Sequence, residues 1–135
     1  MTSVINEVME AVIKMMNDTH PFATVTRGAL PTGMGIVCEI SPSNAEFLHM
    51  DKNTVVALDV TVNGKNPNLK TLSDALNTIH SALTRTKVYP QDTTNHRWQI
   101  CDISNYILPQ MVGREENNDW IMASSLLVRF YWEGD

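Results

Sequence analysis

Four histidines, His20, His49, His80 and His96, are the first residues to test for chemistry, because imidazole titrates near neutral pH and is the commonest metal ligand. They fall in four separate segments, with no HxH, HExxH or His–Cys pairing that would bring two ligands to one metal. Ordinary surface or boundary histidines are therefore expected, with His80, next to Leu76 and Ile79, a boundary residue rather than a ligand. Ser124 and Ser125 sit in an extended apolar run and lack the glycine-flanked turn that exposes a nucleophile. Asp59 and Asp102 interrupt apolar strands, where a carboxylate is either a tuned acid or an outward-pointing polar residue, and the second is expected. Gly28, Gly33 and Gly35 lack the Lys-Ser/Thr pair and following helix of a phosphate loop. Cys38 and Cys101 have no CxxC spacing and stand in apolar runs, so both are expected to be small buried hydrophobes. Glu115 and Glu116, next to Arg114 in a loop, suit ion pairing across a subunit boundary better than acid–base work. No catalytic residue, metal ligand or cofactor site is expected.

The elements that carry these residues must form within 135 residues, a length that suits one domain spanning 1–135. With 43% hydrophobic and 19% charged residues the chain can bury a core. A formal net charge of -5 with scattered basic residues opposes non-specific attraction to nucleic acid or anionic membrane. The only close basic pair, Arg85 and Lys87, reads as the solvated end of a helix. No apolar run reaches the ~20 residues of a membrane span, and the first residues lack a basic segment followed by an apolar one, so a cytosolic product is expected.

Apolar residues from Val4 to Met16 repeat with helical spacing, predicting an amphipathic helix capped by Thr2 or Ser3 and stopped at His20-Pro21. Phe22–Arg27 and Met34–Ile40 read as two strands of a hairpin whose long tip is Gly28–Gly33. Thr54–Val62 reads as a central strand ending at Asn63-Gly64, after the turn residues Ser41–Asn44. A second helix over 68–84 places Leu69, Leu72, Leu76, Ile79 and Leu83 on one face, against a sheet. A polar loop, Val88–His96, then leads to a strand over Arg97–Ile107. A long link from Leu108 to Asn118 precedes a last strand over Asp119–Trp132. That strand is apolar on both faces, so Ile121, Leu127 and Tyr131 need cover from a helix or from another subunit. The expected fold is α+β, with two helices on a mixed or mainly antiparallel sheet of about five strands, in the order α-β-β-β-α-β-β.

Leu72–His80, Tyr89-Pro90, Trp98–Ile100, Leu108-Pro109 and above all Ser124–Trp132 resemble small tail-terminator and minor capsid (head–tail joining) proteins of long-tailed bacteriophages. The resemblance covers the second half of the chain and, more weakly, the first helix. It implies a structural virion protein, assembled in the bacterial cytoplasm, with no catalytic activity. It further implies a ring-shaped homo-oligomer at the head–tail junction, a hexamer being one ring size, that meets the major tail protein and neck proteins. Membrane and specific nucleic acid have no part in it. Subunit-interface candidates under this reading are Arg114, Glu115, Glu116, Tyr131 and Trp132. The competing expectation is a monomeric protein-binding adaptor whose apolar strand receives a partner.

Overall fold

Burial of the helical apolar stripe organises α1 (Thr2–Asn17), whose Val4, Val8, Met9, Val12 and Met16 face inward while Asn6, Glu10 and Lys14 face solvent. This computed structural model describes residues 2–30, 33–40, 46–50, 53–93, 97–116 and 118–133. The helix already includes Thr2 and Ser3, the residues expected to cap it, and ends at Asn17; His20 then adopts φ 55° before Pro21.

Six strands complete the fold with a second helix: β1 (Val25–Arg27), β2 (Gly35–Ile40), β3 (Glu46–Met50), β4 (Asn53–Asn66), β5 (Trp98–Arg114) and β6 (Trp120–Glu133). Their order is β1-β2-β4-β6-β5, with β3 beside β4 off this path. The α+β class is as expected, and the main path has five strands; the extra strand β3 occupies the edge of β4 that β2 leaves free, pairing with Asn53–Ala57 while β2 pairs with Val60–Lys65.

The expected β1–β2 hairpin is not formed: the two strands are parallel, with Val25 opposite Ile36 and Arg27 opposite Cys38. Parallel neighbours ordinarily need a long crossover, but β1 is three residues long, so little chain is needed to return to the level of its start. β1 is tied down by side chains of α1 and of its neighbour β2. The Asn17 carboxamide accepts from Val25 N at 2.8 Å and donates to Val25 O at 3.3 Å, while the Arg27 guanidinium reaches Glu39 at 2.7 Å and Asn6 at 3.0 Å.

β4 does not stop at Asn63-Gly64 but pairs with β6 along its whole length. Gly64 is a packing residue, since a Cβ there would lie 2.6 Å from Cδ1 of the buried Leu72. Leu72 belongs to α2 (Leu69–Thr84), whose first turn is capped by Asn68 Oδ1 accepting from Thr71 N at 3.1 Å. Leu72, Leu76, Ile79 and Leu83 lie against the inner face of the sheet, where Val56, Leu58, Val60 and Val62 of β4 join Leu126, Val128 and Phe130 of β6 and Ile100 and Ile103 of β5 in one cluster.

Candidate interaction surface

The residues first considered for chemistry do not converge. His20 is exposed, the side chain of His49 and all of His96 lie outside the described residues, and His80 is buried where α2 packs on β5. No group of three His, Cys, Asp or Glu that could hold a metal occurs among the described residues. Ser124 is buried, its hydroxyl donating to Val62 O at 2.7 Å. Asp102 is exposed and pairs with Arg129 at 3.3 Å, as its outward reading requires; Asp59 is instead buried in the centre of β4, opposite Leu127. Cys38 is buried, and desolvation, reinforced by Glu39, pushes its thiol up to about 12. Cys101 departs from expectation and is exposed, because β5 is irregular between Ile100 and Asp102 and the alternation of faces breaks there.

That irregularity is one of four along β5, between Ile100/Asp102, Asn105/Ile107, Ile107/Gln110 and Met111/Gly113. At each, β5 advances one residue more than its partner β6. The result corrects the expected link over 108–118: β5 continues to Arg114, and only the residues around Glu115–Asp119 turn the chain. Because each bulge reverses the facing of the residues beyond it, β5 presents apolar residues without regular alternation. Tyr106, Ile107, Leu108, Met111 and Val112 are 44–63% exposed and mark the distal half of β5 as an exposed ridge. β5 is also the last strand of the sheet; apart from the Gln91–Gln99 bridge, no strand pairs with its outer edge among the described residues.

A second feature lies at the opposite end of β5. The ends of α1 and α2 and the segment after α2 border an open groove of about 720 Å³, lined by Met15, Leu83, Val88 and Tyr89 together with the polar Asp18, Gln91 and Gln99. Val88 is 83% exposed. The segment is held by the Tyr89 hydroxyl, which donates to Leu83 O at 2.8 Å, and by Ile100 N donating to Pro90 O at 3.0 Å; burial raises the Tyr89 pKa. Val88 and Tyr89 also border an adjoining recess of about 540 Å³ that includes Cys101 and Tyr131.

The five interface candidates separate between these two ends. Arg114 closes β5 beside the ridge, stacked 4.5 Å over the Trp120 ring, with Glu116 exposed in the turn. Glu115 is engaged within the chain, 2.7 Å from the buried Lys65 ammonium. Tyr131 is half-buried on the recess. Trp132 packs partly buried against the core, its indole N–H lacking a hydrogen-bond partner among the described residues. Of the apolar β6 residues expected to need cover, Ile121, Leu127 and Tyr131 are all half-buried, whereas the ridge on β5 was not anticipated. The run Tyr106-Ile107-Leu108 was its available signal in the sequence.

No family model matches this chain, and no curated protein matches it. Among solved structures, a chain described as "Virion of native gene transfer agent (GTA) particle" superposes with a TM-score of 0.60 over 93% of this chain and 93% of that chain, at 15% identity. At that identity the likeness is one of fold.

Proposed function

We propose that this protein is a structural subunit of a phage-like virion, acting at the head–tail junction as a tail terminator that assembles as a ring. The observation that carries the virion role is the fold likeness to a chain of a gene transfer agent particle, which extends over 93% of both chains. The junction role rests on the resemblance of 72–80 and 124–132 to tail-terminator and minor capsid proteins. Assembly needs an unsatisfied surface, and the β5 ridge supplies one: large exposed apolar patches mark sites of association. In this proposal the ring's contacts include the ridge, the neighbouring Arg114, Glu115 and Glu116, and Tyr131 and Trp132 at the far end of the hairpin. Its partners are further copies, the major tail protein and neck proteins; no reaction takes place.

Native mass spectrometry over a concentration series, followed by negative-stain imaging, tests the proposal. Ring-shaped oligomers formed alone or on purified tail tubes are expected. A chain that stays monomeric and does not associate with tail tubes would overturn the junction role and favour a monomeric adaptor.

A further inference from the structure

We draw no further inference here: the strongest candidate, the exposed apolar ridge of Tyr106, Ile107, Leu108, Met111 and Val112 on the distal half of β5, carries none because nothing in the structure shows what covers it.

Discussion

His80 shows how a buried imidazole on a helix face sets a pH response. Its Nδ1 lies 2.8 Å from Asn105 Oδ1, which can only accept, so Nδ1 carries the hydrogen and the buried Nε2 has no protein partner among the described residues. Burial lowers its pKa below the ordinary 6.5, against the opposing effect of the Asn105 bond. The folded chain thus resists a proton that the unfolded chain accepts. Stability from this source is complete above about pH 6.5 and declines as acid is added below it. Urea titrations at about pH 7.5 and about pH 5.5 should show a larger drop in midpoint for the wild type than for His80→Gln. Equal drops would show that His80 does not contribute. The helical stripe through Leu76, Ile79 and Leu83 placed this residue at the edge of the apolar face, and it is in fact inside it. Cys101 was less legible: its local sequence is that of an inward strand residue, and only the bulge after Ile100 turns it out.

At the scale of elements, what the sequence revealed depends on whether a regular period survives. Both helices are visible because their apolar residues keep the 3.6 spacing over 16 residues each. β6 is visible because Trp120 to Trp132 runs without Gly or Pro and is rich in apolar residues on both faces. β5 is half hidden: four bulges scramble the period of two, so its distal part, with Pro109 and Gly113, imitates a loop. The direction of β1 was hidden for another reason, since Gly28 and Gly33 mark a turn but not whether the chain emerges parallel or antiparallel. What holds β1 in place is distant in sequence, the Asn17 carboxamide at the end of α1. Asn17→Ala leaves the backbone N–H and C=O of the buried Val25 without these bonds and should cost about 1–3 kcal/mol. Amide exchange should quicken at Val25 with little change in β4 and β6. Unchanged protection at Val25 would mean that the ladder to β2 suffices.

On the whole-molecule scale, a surface is only as rigid as the body that carries it. We propose that 1–135 is a single domain. α1, β1, β2, β4, α2, β5 and β6 all contribute side chains to one buried cluster, so no subset of elements keeps a complete core when another leaves. β5 links the two ends of this body, because it carries the exposed ridge at one end and borders the groove at the other. In the proposed ring, a subunit whose ends could unfold separately would not hold a fixed angle between its contacts. Trp98, Trp120 and Trp132 report on the β5–β6 hairpin, while far-ultraviolet circular dichroism is weighted toward α1 and α2. Thermal unfolding of the chain at low concentration should give coincident transitions by the two probes and equal calorimetric and van't Hoff enthalpies. Two separated transitions, with the tryptophan signal changing apart from the helical one, would divide the chain into independently folding parts and overturn the single-domain proposal.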